Sequence, residues 1–132
     1  MKTNKHLNQC KVNHEFLSEL TKKFPDIYFD WKITVIFYCA THIIRGLALS
    51  EGKSLGNRNK DVFQYLESTD AGDKIKDAFK ILYRNSRDVR YGGFTTRDNF
   101  ERLCKIKFEE SKQKYSMLRS WLEGKGVKVE AA

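Results

Sequence analysis

From Ile33 to Ile44 the chain carries no formal charge. Wound at the helical repeat, the apolar residues of this run cover nearly every side of the wheel rather than one stripe. A helix that is apolar all round needs neighbours all round, so Asp30 to Leu49 is predicted to be the central helix on which the other segments pack. Lys32 and Arg45 bracket the run. A membrane span needs about 18 or more consecutive apolar residues, so a core helix of a soluble bundle is the expectation.

The chain has 132 residues, 40% hydrophobic and 13% aromatic, with a single proline. That length suits one domain able to bury a core without metal or disulfide support, and the composition favours helices over a disordered or all-β chain. Cys10, Cys39 and Cys104 are far apart and odd in number, and each falls inside an apolar-periodic segment. They read as reduced, buried thiols of a cytoplasmic protein. Sequence spacing suggests no zinc site and no other cofactor, and the N-terminus lacks the apolar core of a secretory signal. The formal charge of +8 makes a polyanionic partner plausible. The positive excess is mixed with acids rather than gathered into a tail.

Periodicity predicts a first amphipathic helix over about Lys5 to Phe24, with Leu7, Cys10, His14, Leu17, Leu20 and Phe24 on its apolar face. His14 reads as a satisfied histidine at the core edge. Pro25-Asp26 breaks this helix, the central helix follows over about Tyr28 to Ser50, and Glu51-Gly52 ends it. A short helix is expected over Arg58 to Leu66, capped by Asn57, and a longer one over Asp73 to Arg90. The latter places Ile75, Ala78, Phe79, Leu82, Ser86 and Val89 on one face and Lys80, Arg84, Arg87 and Tyr91 on the other. The last helix starts at Thr95 or Thr96 and runs to Gly124. Ile106, Met117 and Trp121 form a second apolar strip on it, which suits a homodimer interface or simply closer wrapping by the chain. Residues 1–124 thus read as one bundle domain and residues 125–132 as a loose tail.

Three groups of residues are candidates for chemistry. Thr34, Tyr38, Thr41 and Arg45, with His42 beside them, make one polar seam on the central helix. Buried polar groups need partners, so this seam either forms an internal network or lines a cavity. His42 is the best-placed proton-transfer residue of the chain. Arg58 and Asn59 sit where a guanidinium and a helix N-terminus would together favour a phosphate, although as a solvated helix start they need no ligand. Arg84, Arg87, Arg90 and Tyr91 suit phosphates and a stacked base, or serve as a charged outer face. There is no phosphate-binding glycine loop, GxSxG elbow or HExxH motif.

The order of segments resembles a branch of the HEPN superfamily, a name that abbreviates higher eukaryotes and prokaryotes nucleotide-binding. The residues that carry the resemblance are Asn13-His-Glu-Phe-Leu17, Phe24-Pro-Asp26, the string Asp30-Trp-Lys-Ile-Thr-Val-Ile-Phe-Tyr-Cys-Ala-Thr-His42, and Ser86-Arg-Asp-Val-Arg-Tyr91. In that branch the second helix reads roughly Asp-Trp-x-x-Thr-x-x-Phe-Tyr-x-Ala-x-His, and a later helix ends near Ser-Arg-x-x-Arg-Tyr. The resemblance covers about residues 13 to 92. It implies an all-α, up-and-down bundle of four or five helices, often dimeric, that binds nucleotides or RNA. Many members are metal-independent ribonucleases, frequently the toxin of a toxin–antitoxin pair with a small nucleotidyltransferase as antitoxin.

Their usual motif is an arginine followed, after four to six residues, by a histidine. Here His6, His14 and His42 all precede the first arginine, Arg45, so the motif cannot be written anywhere. Phe63, Gln64 and Tyr65 stand where Arg58 would need its histidine. Cleaving RNA without metal requires a base for the 2′-hydroxyl, an acid for the leaving oxygen and a cation on the phosphorane, and arginine supplies only the last. The expectation is therefore a bundle that binds nucleotide or RNA phosphates through Arg45, Arg58, Asn59, Arg84, Arg87, Arg90 and Tyr91. The alternatives are a ribonuclease using His42 and Arg58, and a helical protein-interaction module.

Overall fold

The computed structural model describes residues 4–93 and 96–129. Among them are five helices and no strand: α1 (Lys5–Lys23), α2 (Phe29–Ser50), α3 (Asn59–Glu67), α4 (Asp73–Tyr91) and α5 (Arg97–Gly124). The expected all-α bundle is therefore what forms, with element ends within a residue or two of those read from the periodicity. Thr96 caps α5, its side chain accepting from the Asn99 amide, while Thr95 lies outside the described residues.

Helix α2 is the axis of the bundle, and α1, α3, α4 and α5 all pack against it. Sixteen of its 22 residues are buried. Its exposed aromatic residues, Trp31 and Tyr38, mark the side left uncovered. By length and composition α2 could cross a membrane, contrary to the reading of a run too short to do so, but 78% of its apolar window is enclosed by the other helices. Phe37 of α2 stacks on Phe79 of α4 at 5.8 Å, and Phe63 of α3 meets Phe79 edge-on at 4.8 Å. Short α3 is held by this aromatic contact, since a helix of two and a half turns has little stability of its own.

Lys32 is fully buried within the apolar run's own helix. Its ammonium lies over the rings of Phe29 and Phe108, at 4.5 and 5.8 Å, and donates to the Phe24 carbonyl, so the charge is met by ring faces and a helix-end oxygen.

Two expectations fail on packing grounds. The segment after α5 is not loose: Val127 and Val129 are only 3% and 7% exposed, and Arg119 donates to the Val129 carbonyl at 2.9 Å. Residues 130–132 lie outside the described residues. Nor do Ile106, Met117 and Trp121 form one uncovered strip. Trp121 packs on the core with Lys125 over its ring, Met117 is half-buried, and Ile106 alone is open, at 69%.

Candidate functional site

The start of α1 is tied to the middle of α2 by one side chain. The Asn4 oxygen accepts from the amides of His6 and Leu7, capping the helix, and its amide nitrogen donates to the Gly46 carbonyl at 2.9 Å. Gly46 suits this approach, because a Cβ there would lie 2.5 Å from a Leu7 methyl, which would have to move aside. The result brings His6 against His42, with Nδ1 to Nδ1 at 3.0 Å. One ring must donate and the other accept, so the pair holds one shared proton between the two nitrogens.

The histidines line a cleft of about 320 Å³ together with Lys5, Tyr38, Thr41, Arg45 and Asn59. Arg45 is only 8% exposed. Its guanidinium donates to the Gly56 carbonyl and, at 3.5 Å, to that of Arg58, and among the described residues no carboxylate pairs with it. A second hollow, of about 390 Å³, is lined by Asn59, Tyr83, Arg87, Arg90 and Tyr91. The two meet at Asn59, which lines both, and where Arg90 donates to the Tyr38 hydroxyl at 3.5 Å.

Arg90 is held in place by the carbonyl and hydroxyl of Ser86, each at 3.1 Å, with its guanidinium over the Tyr91 ring. Arg87 bonds the Tyr83 hydroxyl at 3.4 Å. Among the described residues, no acid lines either hollow.

Burial holds both imidazoles below their ordinary pKa. For His6 the charges of His42, Lys5 and Arg45 add to that effect; for His42 Arg45 adds to it and Cys10 opposes it. Desolvation likewise lowers Arg45, partly offset by Asp61.

Of the residues singled out from the sequence, His42, Arg45, Asn59, Arg87, Arg90 and Tyr91 come together here. Arg58 and Arg84 do not. The Arg58 side chain points outward to Asp61 at 3.4 Å, and the Asp61 carboxylate also accepts from the Arg58 amide at 3.1 Å. The start of α3, expected to offer free amides to a phosphate, already holds this carboxylate. Gly56 leaves it room, since a Cβ there would collide with Asp61. Arg84 turns the other way and pairs with Glu110 of α5 at 3.5 Å. Thr34 and Thr41 satisfy themselves on backbone carbonyls of their own helix, so only the C-terminal half of the seam faces the cleft. Sequence pattern does not mark His6, because its partner is 36 residues away and its only local signal is its place in the first turn of a capped helix.

One to two turns further along the face of α1 that carries His6, Cys10, His14 and Cys39 form a second cluster that sequence spacing did not suggest, with one ligand atom of each within 4.8 Å of the others. His14 bonds the Tyr115 hydroxyl at 2.6 Å, as a satisfied core-edge histidine should.

Comparison with family models, with curated proteins and with solved structures finds no match to this chain.

Proposed function

We propose that this chain is a HEPN-like helical domain that binds nucleotide or RNA phosphates in the cleft between the start of α1, the middle of α2, the start of α3 and the end of α4. The observation that carries the reading is Arg45, a buried guanidinium with only carbonyl partners, on the wall of a cleft that has no acid. A buried cation whose direct partners are neutral carbonyls is costly, the Asp61 charge offsets that cost only in part, and a phosphate entering beside it supplies a direct counter-charge. Arg87 and Arg90 extend the positive wall, and exposed Tyr91 offers a ring face to a base. The resemblance of the Trp31 to His42 string and of Ser86 to Tyr91 to the HEPN superfamily supports the same class of ligand.

The test is equilibrium binding of a labelled single-stranded RNA over a salt series. Affinity that falls steeply with salt, and weakens in Arg90→Ala, is the expected result. Equal binding by the parent and Arg90→Ala, or no dependence on salt, overturns the proposal.

A second reading, metal-independent RNA cleavage, is favoured by the His6–His42 contact. Two imidazoles around one proton supply a base and an acid, and Arg45 beside them supplies the cation for a phosphorane. In this reading the toxin role, with a nucleotidyltransferase-type antitoxin, follows from the HEPN resemblance. Cleavage in chelator-containing buffer that is lost in both His6→Ala and His42→Ala is the expected result. Cleavage that survives in either folded variant removes it.

A further inference from the structure

The Cys10–His14–Cys39 cluster lies further along the contact of α1 with α2 than the His6–His42 pair, outside the residues that line the cleft, and is built from three helices. Cys10 and His14 lie one turn apart on α1, Cys39 comes from α2, and Tyr115 of α5 closes the group. Cys10 Sγ is 3.7 Å from His14 Nε2 and 3.5 Å from the Tyr115 hydroxyl. We propose that Cys10, Cys39 and His14 bind a zinc ion, with the Tyr115 oxygen or a water in the fourth position.

Four features support this assignment. The donor set of two sulfurs and one imidazole is that of tetrahedral zinc, whereas hard cations take oxygen ligands. The spacing fits with small adjustment. Bonds of about 2.3 Å to sulfur set two thiolates about 3.7 Å apart, and the donor atoms here already lie within 4.8 Å of one another. Charge balance suits the location: two thiolates and a neutral imidazole cancel a divalent ion, so with water or the protonated Tyr115 hydroxyl in the fourth position the loaded centre is neutral, at a place where both cysteines have no exposure. Finally, there is a way in. His14 and Tyr115 line an open hollow of about 380 Å³ with Leu17, Ser18, Thr21, Lys22 and Arg119, so solvent reaches the histidine side of the cluster, with both cysteines buried behind it. On binding, the Cys10 and Cys39 thiols release their protons to solvent, the metal–sulfur bonds form, and no electron is transferred. The ion then joins α1 to α2, and to α5 when Tyr115 is the fourth donor.

Cobalt titration of the reduced full chain tests this directly, because thiolate-bound tetrahedral cobalt has intense charge-transfer and visible bands. The expected result is one cobalt per chain with those bands, displaced by zinc, unchanged in Cys104→Ser and lost in Cys39→Ser. His14→Gln alters only a half-buried residue, so it reports on binding even where Cys39→Ser fails to fold. It should weaken binding by tenfold or more. Three results would each overturn the proposal: no thiolate–cobalt band in the folded parent, binding unchanged in His14→Gln, or a Cys10–Cys39 disulfide in air with no metal uptake after reduction.

Discussion

His6 Nδ1 lies 3.0 Å from His42 Nδ1, across the junction of α1 and α2. That contact holds with one proton between the nitrogens and fails with two, since two N–H groups would then face each other beside Arg45. Burial pushes both pKa values below the ordinary 6.5. As pH falls through 6.5 the unfolded chain takes up protons that the folded chain resists, so stability is highest above that value and is lost towards the folded values. Thermal unfolding followed by circular dichroism should show a midpoint that drops between about pH 7 and about pH 5, with a shallower drop in His42→Asn. A parent midpoint that is flat over this interval would remove the paired-proton description.

A phosphate in the cleft reverses that pressure, because an anion favours the protonated pair. RNA or nucleotide affinity should therefore rise as pH is lowered through the same interval, with proton uptake detectable by calorimetry in buffers of different ionisation enthalpy. His6→Asn should leave binding measurable and its pH dependence weaker.

The arginines divide by where they point. Arg87→Ala and Arg90→Ala should each weaken RNA binding and reduce the salt slope by about one, the loss of one phosphate contact. Arg84→Ala and Arg58→Ala should change little, since their guanidiniums already face Glu110 and Asp61 outside the cleft. A salt series on all four variants checks the division.

Gly46 couples packing to the site. In Gly46→Ala the new methyl meets the Leu7 side chain at 2.5 Å, and overpacking of this kind costs about 1–3 kcal/mol. The Leu7 side chain must turn aside, and to the extent that the start of α1 moves with it His6 is drawn away from His42. Urea unfolding should show the lost stability, and the pH dependence described for the pair should weaken along with it.

Much of the bundle could be read from local pattern, because the helix period and its breaks are local properties. Pro25-Asp26, Glu51-Gly52 and Thr96 mark ends where the chain does end or begin its helices. Half of the candidate cleft was legible for the same reason: Tyr38, Thr41, His42 and Arg45 share a face by spacing alone. What the spacing could not supply was the meeting of distant segments. His6 with His42, and Cys10 with Cys39, depend on how α1 crosses α2, which Gly46 and Asn4 set. Arg84 and Arg87 share a helical face in projection, yet Glu110 on α5 takes one and the cleft the other, and only packing separates them. By sequence Lys32 is a charge ending an apolar run, whereas its stem is core and its head rests on rings. Long side chains with an apolar stem are ambiguous in this way in any sequence.

The segment after α5 gives a last test, because a loose tail and a packed one differ sharply in what substitution does. Gly126 has φ +89°, a turn conformation open to glycine, and it lets the Val127 amide reach back to the Leu122 carbonyl at 3.0 Å. That turn directs Val127 and then Val129 onto the core, where Arg119 holds the Val129 carbonyl. Fully burying a valine contributes about 1.5–3 kcal/mol, so Val127→Asp should lower the unfolding free energy by at least that much, and Gly126→Val should also destabilise through its strained φ. Denaturant unfolding of the two variants beside Lys128→Ala, an exposed position in the same segment, distinguishes packing from a general effect of altering the tail. Equal stability of all three with the parent would mean that the core closes without these valines.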